Sequence, residues 1–220
     1  MGKRVIITGA TGMVGEGVLH RCLQNEQIDH ILLVSRKSYG MSHPKISELL
    51  IPDFFQLEGL EEKVQGYDAC FFCLGVSSVG MKEDKYRHLT YDLTLGFAKK
   101  VLAANTNMTF CYVSGDGTRS DEQGMMWARV KGKTENDLLQ LGFADAYMFR
   151  PGMIEPMKGM KNTYRVLRVL GFLFPVFRVL SPKHYVKLSQ LGDAMIAVTV
   201  KGYNKKVLDC MDIKEVAKQE

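Results

Sequence analysis

The chain of 220 residues has little of several features that would point to particular protein classes. It contains no uninterrupted apolar run of about 18 residues, so we expect no transmembrane helix. Its cysteines number five, an odd count, and a chain of this length can build a core without disulfides. The chain also opens directly into an apolar strand-like run with no secretory signal, and we therefore expect a reducing, cytoplasmic location.

Neither sign of charge dominates the composition. The 29 basic and 24 acidic residues give a net charge of +5 with no long basic run, which does not favour nucleic-acid binding. The small positive excess would favour an anionic ligand. The histidines lack the spacing of metal ligands, so we expect no metal site. They are His20, His30, His43, His88 and His184.

Strand-like and helix-like segments alternate along the chain. Apolar residues make up 46% of the sequence, enough for one large core. Right-handed crossovers between such strands give a Rossmann-like α/β fold, a doubly wound parallel sheet with helices on both faces. We predict one such domain over residues 1–220, with small substrate-side cap elements at 152–205. The predicted strands are 5–8, 31–34, 45–51, 68–74, 108–113, 144–149 and 206–210, and the main predicted helices are 13–25, 57–64, 82–105, 125–141 and 189–200.

Three glycines stand where the first predicted strand turns into the first helix. Gly9 suits a tight turn, Gly12 lets the backbone approach a pyrophosphate, and Gly15 lets the helix pack close to the strand. Free amide groups and the helix dipole favour an anion at the same point. We predict that this turn binds a dinucleotide; the alternative is a glycine-rich turn without a ligand.

The end of the second predicted strand indicates which dinucleotide is bound. In sheets of this type an acidic residue about 20 positions after the last glycine holds the adenosine ribose 2′-hydroxyl. Here the chain has Ser35, Arg36 and Lys37, so no carboxylate repels a 2′-phosphate. The pattern favours NADP over NAD, with ordinary loop charges at Arg36 and Lys37 as the alternative.

Cys70 and Cys73 have the spacing of a redox or metal motif, but they lie in a predicted strand. Residues three apart on a strand point to opposite faces of the sheet. We therefore expect two core cysteines rather than a redox pair.

Residues 164–180 combine strong apolar character with interspersed arginines. This pattern is typical of an amphipathic helix at a membrane surface. It also suits a lid over the substrate pocket, with arginine stems lying along apolar surface. We favour the lid because the carboxyl edge of the sheet needs cover, and we expect Pro175 to kink or end the helix.

These motifs resemble those of the atypical short-chain dehydrogenase/reductases. The nearest branch is that of the NAD-dependent epimerase/dehydratase and NmrA-like proteins, which includes the Tat-interacting oxidoreductase-like proteins. The more specific part of the resemblance is residues 128–135 followed by Arg150, Pro151 and Gly152. The resemblance implies a role for each part of the site. The pyrophosphate would be lined by Gly9, Thr11, Gly12, Met13 and Gly15, and Arg36 would meet the 2′-phosphate. Asp53 and Phe54 would lie near the adenine, Leu74 and Gly75 beside the adenosine ribose, and Pro151, Gly152 and Ile154 beside the nicotinamide.

The resemblance also implies a catalytic set of serine, tyrosine and lysine, with the tyrosine four residues before the lysine. The tyrosine exchanges a proton with the substrate, while the lysine holds the nicotinamide ribose and lowers the tyrosine pKa. Ser114 and Lys131 match this set, but Trp127 stands at the tyrosine position. An indole N–H only donates, so Trp127 cannot cycle a proton at neutral pH.

Three functional hypotheses follow. In the first, the protein is an NADP(H)-dependent oxidoreductase or epimerase-like enzyme whose proton comes from Tyr147, Tyr185, water or the substrate. In the second, it is an NADP-binding redox sensor, regulator or interaction protein. In the third, Trp127 closes an apolar pocket for a different reaction. Plain structural roles are the alternatives for Lys131, as a solvated helix charge, and for Ser114, as a turn residue. We expect a small-molecule substrate and a monomer, or a homodimer paired through the helices that start at 82 and 125.

Overall fold

The computed structural model describes residues 2–162 and 174–219 of the chain. The strands in these ranges are β1 Lys3–Thr8, β2 Ile28–Ser35, β3 Ile46–Leu50, β4 Ala69–Phe72, β5 Thr109–Val113, β6 Asp145–Phe149, β7 Met153–Glu155, β8 Tyr185–Lys187 and β9 Val207–Leu208. The α-helices are α1 Met13–Gln24, α2 Leu60–Lys63, α3 Glu83–Arg87, α4 Leu93–Ala104, α5 Met126–Gln140, α6 Phe174–Leu180, α7 Leu188–Lys201 and α8 Cys210–Val216.

Seven strands form one parallel sheet in the order β3-β2-β1-β4-β5-β6-β9. Strands β7 and β8 pair separately, also in parallel. The strand order reverses between β1 and β4, and doubly wound sheets bind ligands at that switch point, outside the carboxyl ends of the strands. The predicted Rossmann-like fold is therefore confirmed.

Each face of the sheet carries its own apolar core, because successive side chains of a strand point to opposite faces. Helices α1, α7 and α8 cover the core that includes Val5 and Ile7, and helices α2, α4 and α5 cover the core that includes Ile6. Cys70 belongs to the second core, whereas Cys73 packs against the first. The two thiols thus lie on opposite sides of the sheet, as the alternation predicts.

Three features differ from the predictions. The helix predicted over 82–105 is interrupted by a π-helical turn, His88–Asp92, between α3 and α4. Strands β7 and β8 have three residues each, too few for a periodic signal, so sequence reasoning missed them. The strand predicted over 206–210 ends at Leu208, because the Asp209 carboxylate accepts the amides of Met211 and Asp212 and caps α8.

The segment 164–180 is described only in part, and residues 163–173 lie outside the described ranges. Helix α6 runs from Phe174 to Leu180 and includes Pro175. The kink or end expected at Pro175 concerns the chain before it as well, so that expectation stays a prediction. Within the described ranges, every helix is too short or too polar to cross a bilayer.

Gly132 shows how closely α5 packs on the loop after β5. A Cβ at Gly132 would lie 1.8 Å from the carbonyl oxygen of Arg119. We expect Gly132→Ala to lower the free energy of unfolding by about 1–3 kcal/mol, because the loop must move away. Urea unfolding measures this change.

Gly96 in α4 is the matched control, since nothing lies within 4 Å of a Cβ built there. Gly96→Ala should raise the free energy of unfolding by up to about 1 kcal/mol through helix propensity alone. Stabilisation by both substitutions would contradict the packing of Arg119 on α5.

Candidate functional site

A cavity of about 650 Å³ opens at the carboxyl ends of β1, β2 and β4, at the switch point of the sheet. Six of the residues predicted to bind the cofactor line this cavity, together with four other residues. The lining residues are Gly9, Thr11, Gly12, Ser35, Arg36, Lys37, Pro52, Cys73, Leu74 and Gly75.

The glycine turn needs two of its glycines for steric reasons. Gly9 has a φ of +72°, and a Cβ there would lie 2.8 Å from the carbonyl group of Cys73. A Cβ at Gly15 would lie 2.2 Å from the carbonyl oxygen of Gly9. Helix α1 can therefore start directly on the turn, with buried Met13 as its first residue. The first amides of α1, which have no partner within the helix, lie beside the cavity.

Arg36 and Lys37 bring positive charge to the cavity. Both side chains are exposed, and neither forms a hydrogen bond or ion pair with any residue in 2–162 or 174–219. The Ser35 hydroxyl donates to the carbonyl of Lys37 at 2.6 Å and so shapes the loop that carries both cations. Two cations without protein partners at the rim of a cavity favour a bound anion.

A smaller apolar cleft of about 170 Å³ adjoins this cavity and shares Arg36, Pro52, Leu74 and Gly75 with it. Asp53 and Phe54 line the cleft, so the structure brings these predicted residues next to Arg36. The other lining residues are Phe55, Val76, Leu89 and Leu93.

Helix α5 places Trp127 and Lys131 one turn apart, on the side of the loop after β5. The indole lies against Gly117, where a Cβ would come within 3.1 Å of the ring. The Lys131 ammonium donates a hydrogen bond to the carbonyl oxygen of Ser114. Burial lowers the pKa of Lys131 to about 8, against the opposing effect of the Glu135 carboxylate. Lys131 is thus held on the β5 loop rather than extended into solvent.

The Ser114 side chain faces away from open space. Its hydroxyl lies 2.5 Å from Oε1 of Glu135 and 3.1 Å from the carbonyl oxygen of Phe149. Glu135 is fully buried and also accepts hydrogen bonds from Nε and Nη2 of Arg150. This network ties α5 to the ends of β5 and β6.

Sequence reasoning named Ser114 and Arg150 but missed Glu135. The available signal was its spacing, because Glu135 follows Lys131 by one helical turn within residues 128–135. It also missed Glu16, a fully buried carboxylate in the first turn of α1. Glu16 accepts the backbone amides of Lys161 and Asn162, both at 2.7 Å, and so holds the segment after β7 against α1.

The loop after β6 meets the loop after β5. The amide of Asp116 donates to the carbonyl oxygen of Pro151 at 2.9 Å. A Cβ at Gly152 would lie 2.3 Å from the carbonyl oxygen of His184, and Ile154 pairs with Val186 in the small sheet. These residues flank the carboxyl ends of β5 and β6, whereas the large cavity flanks those of β1, β2 and β4.

The two tyrosines considered as proton sources have other partners. The Tyr147 hydroxyl donates to the carbonyl oxygen of Tyr203 at 3.1 Å and accepts its amide at 2.8 Å. The Tyr185 hydroxyl donates to the Glu155 carboxylate. Both hydroxyls are bonded to these partners, whereas the Lys131 ammonium is bonded to the Ser114 carbonyl.

Residues 5–123 match the model of the NAD dependent epimerase/dehydratase family. This chain belongs to that family. Three related proteins illustrate the sequence similarity. Leucinostatins biosynthesis cluster protein T of Purpureocillium lilacinum is 31% identical over 62% of this chain and 51% of its own length. Protein FMP52-1, mitochondrial, of Scheffersomyces stipitis is 26% identical over 73% of each chain, and protein HTATIP2 of Rattus norvegicus is 25% identical over 69% and 63%.

The chain therefore spans about half the length of the first of these relatives. The name of the Scheffersomyces relative carries the word mitochondrial, and the cytoplasmic location expected above stays a prediction.

Solved structures of low identity share the fold. The structure of gox2253 superposes with a TM-score of 0.68 at 12% identity, covering 100% of this chain and 76% of that one. L-Sorbose reductase from Gluconobacter frateurii, complexed with NADPH and L-sorbose, gives 0.63 at 13% identity over 91% and 90%. The dTDP-glucose 4,6-dehydratase of Bacillus anthracis, in complex with NAD, gives 0.65 at 13% identity over 94% and 76%.

The buried Glu135–Arg150 pair offers a direct test of the hydrogen-bond network that joins α5 to the ends of β5 and β6. Glu135→Gln leaves the guanidinium of Arg150 with no carboxylate partner, and we expect a loss of about 2–4 kcal/mol in the free energy of unfolding. Denaturant titration measures the loss.

Glu83→Gln is its control, because Glu83 pairs with Arg129 on the surface, where the side chains are 49% and 35% exposed. The control should change the free energy of unfolding by less than about 1 kcal/mol. If both variants change the free energy of unfolding by similarly small amounts, the buried pair does not stabilise the fold as expected.

Proposed function

We propose that this chain binds NADP(H) across the carboxyl ends of β1, β2 and β4 and acts as an oxidoreductase of the short-chain dehydrogenase/reductase type on a small molecule. The observation that carries the proposal is the 650 Å³ cavity in which a glycine turn meets Arg36 and Lys37. Neither cation has a partner in the described parts of the chain. The family to which the chain belongs is named for NAD dependence, which supports a nicotinamide dinucleotide as the ligand.

The residues present fit such a cofactor. The backbone at Gly9, Thr11, Gly12, Met13 and Gly15 would hold the pyrophosphate, because a side chain at Gly9 or Gly15 would collide with the turn. The apolar cleft with Asp53 and Phe54 would receive the adenine, and Leu74 and Gly75 would flank the adenosine ribose. Lys131 would bind the nicotinamide ribose, with Pro151, Gly152 and Ile154 beside the nicotinamide.

The preference for NADP rests on the charges around Arg36. A guanidinium binds a phosphate through two parallel hydrogen bonds, and Lys37 adds a second positive charge at the same rim. The acidic residue that would hold a 2′-hydroxyl is replaced by buried Ser35. The 2′-phosphate of NADP would therefore gain two cationic contacts that NAD cannot make.

When bound, the cofactor supplies or accepts a hydride. The chain itself must then orient the substrate and exchange a proton with it. Lys131 positions the ribose from its anchor on the Ser114 carbonyl, and Trp127 covers Gly117 with an apolar ring. An indole N–H can donate a hydrogen bond to a substrate oxygen, but it does not release its proton at neutral pH.

One observation favours a second candidate function, an NADP-binding redox sensor or regulator with little turnover. Trp127 replaces the proton-exchanging tyrosine, and the Ser114 hydroxyl is bonded within the Glu135 network. A site with tight cofactor binding and slow chemistry would report the cellular ratio of oxidised to reduced cofactor.

Arg36→Ala tests the proposed cofactor preference. We expect NADPH affinity to fall about 10- to 100-fold through loss of a charged hydrogen bond, while NADH affinity changes less than about threefold. Isothermal titration of both cofactors measures this difference. Lys99→Ala, an exposed charge on α4 outside the cavity, should leave both affinities unchanged. If neither cofactor binds wild-type protein or raises its melting temperature at millimolar concentration, the proposed function is wrong.

Lys131→Ala tests the proposed chemistry. We expect NADPH oxidation with a panel of carbonyl compounds to fall by at least about 100-fold, because the ammonium that orients the reacting end is gone. Lys133→Ala is the control on the same helix, since Lys133 pairs with Asp137 on the surface. Absent turnover in the wild type together with tight cofactor binding would favour the sensor. Activity that appears only in Trp127→Tyr would show that the native site lacks a proton donor.

A further inference from the structure

A reductase with Trp127 in place of tyrosine needs another group that exchanges a proton with the substrate. The Ser114, Tyr147 and Tyr185 hydroxyls are bonded to protein acceptors, as described above. We propose, on the basis of the function proposed above, that His184 is the acid–base residue at the nicotinamide end of the site and that Asp116 holds its imidazole in place.

The imidazole of His184 is fixed on the loops that follow β5 and β6. Nδ1 of His184 lies 2.5 Å from Oδ2 of Asp116, which stands two residues after Ser114. The Asp116 amide is bonded to the Pro151 carbonyl, and the His184 carbonyl touches Gly152. His184 is therefore anchored to the loops after β5 and β6. Gly152 belongs to the second of these loops, and Lys131 is bonded to the Ser114 carbonyl on the first. Both residues would contact the reacting end of the cofactor.

The hydrogen bond from Asp116 selects the useful tautomer. A carboxylate at Nδ1 requires a proton on that nitrogen, so Nε2 is left to exchange a proton with a substrate. The His184 side chain is 67% exposed, so nothing in the described structure seals it from a ligand. The protonated imidazole, which is the form that donates, would make an ion pair with the same carboxylate.

Other charges lie close to this pair. Lys183 precedes His184 in the chain, and the Lys214 ammonium of α8 donates to the Pro182 carbonyl at 2.5 Å. The Cys210 thiol accepts the Gly152 amide, and burial raises the pKa of that thiol, which keeps it neutral. Asp116 is thus the carboxylate in direct contact with His184, with two lysines as neighbouring cations.

Lys131, with a pKa of about 8, is another titratable group near these loops. Its ammonium is bonded to the Ser114 carbonyl on the buried side of the loop, which suits a positioning role. His184 lies on the exposed side of the same loop, where a substrate can approach.

The proton balance of the proposed step is simple. In carbonyl reduction the carbonyl carbon would receive a hydride from the dihydronicotinamide, which would be oxidised. The carbonyl π bond breaks, and its oxygen takes the proton from Nε2 of the His184 imidazolium. Neutral imidazole is left, with its remaining proton on Nδ1 facing Asp116; alcohol oxidation runs through the same groups in reverse.

A comparison of the histidine ring signals by NMR tests this placement without any substrate. Oxidised nicotinamide carries one more positive charge than the reduced ring, so the ring signals of a histidine beside it should differ between the NADP⁺ and NADPH complexes. We expect that difference for His184. His88, which is paired with Asp92 at 3.2 Å and stacked on Phe55, serves as the internal control and should give the same signals in both complexes.

Two variants test the role in turnover. His184→Asn keeps an amide that can bond Asp116 but removes Nε2, and we expect kcat to fall at least about 100-fold with cofactor affinity within threefold. Asp116→Asn should lower kcat with little change in KM, because an amide no longer fixes the tautomer of the imidazole. A merely structural tie would leave kcat of His184→Asn near the wild-type value.

The outcomes separate the two proposals. Absent saturable binding of either cofactor would overturn the proposed function and the role of His184 with it. Saturable binding with identical His184 ring signals in both complexes would overturn the role of His184 alone, as would full turnover in His184→Asn.

Discussion

The close approach of α1 to the Gly9 turn is the contact on which the rest of the site depends. A Cβ at Gly15 would lie 2.2 Å from the Gly9 carbonyl oxygen, so only glycine lets the helix start at that distance. The approach puts the first amides of α1, which have no partner within the helix, beside the cavity at the point where the strand order reverses. The cations at Arg36 and Lys37 then lie at the rim of the same cavity, because β2 is the neighbour of β1 in the sheet.

Helix α5 organises the other half of the carboxyl edge. Its residues one turn apart, Trp127, Lys131 and Glu135, face the ends of β5 and β6. Glu135 is buried and joins Ser114 to Arg150, so the two loops after these strands are held in one arrangement. The Lys131 ammonium donates a hydrogen bond to the carbonyl oxygen of Ser114. Desolvation of this ammonium explains why the pKa of Lys131 lies below that of an exposed lysine.

The polar groups at this edge are divided between structure and chemistry. Ser114, which the resemblance places in a catalytic set, donates its hydroxyl to Glu135 and thereby supports the loop. The Asp116–His184 pair, in contrast, stands open to solvent on the outer side of the same loop. A buried hydrogen-bonded group is costly to disturb, whereas an exposed pair can exchange protons, which is why the two sets suit different tasks.

Much of the fold followed from local pattern, because parallel strands are apolar runs and their connecting helices repeat every 3.6 residues. The glycine turn, the charges at Arg36 and Lys37, and the spacing of Trp127 to Lys131 were also readable, since each lies within a few residues of the chain. The three-residue strands β7 and β8 were not readable, because they exist only by pairing with each other across about 30 residues. The π-helical turn His88–Asp92 likewise has no periodic signature.

The sequence by itself thus determined the parallel α/β architecture, the position of the glycine turn and the absence of a tyrosine before Lys131. Only the tertiary structure decided that Ser114 faces Glu135, that Tyr147 and Tyr185 are bonded elsewhere, and that His184 meets Asp116 across 68 residues. The physical reason is the range of the interactions. Helical and strand periodicity act between near neighbours, whereas side-chain partners at a sheet edge are set by which loops the strand order brings together.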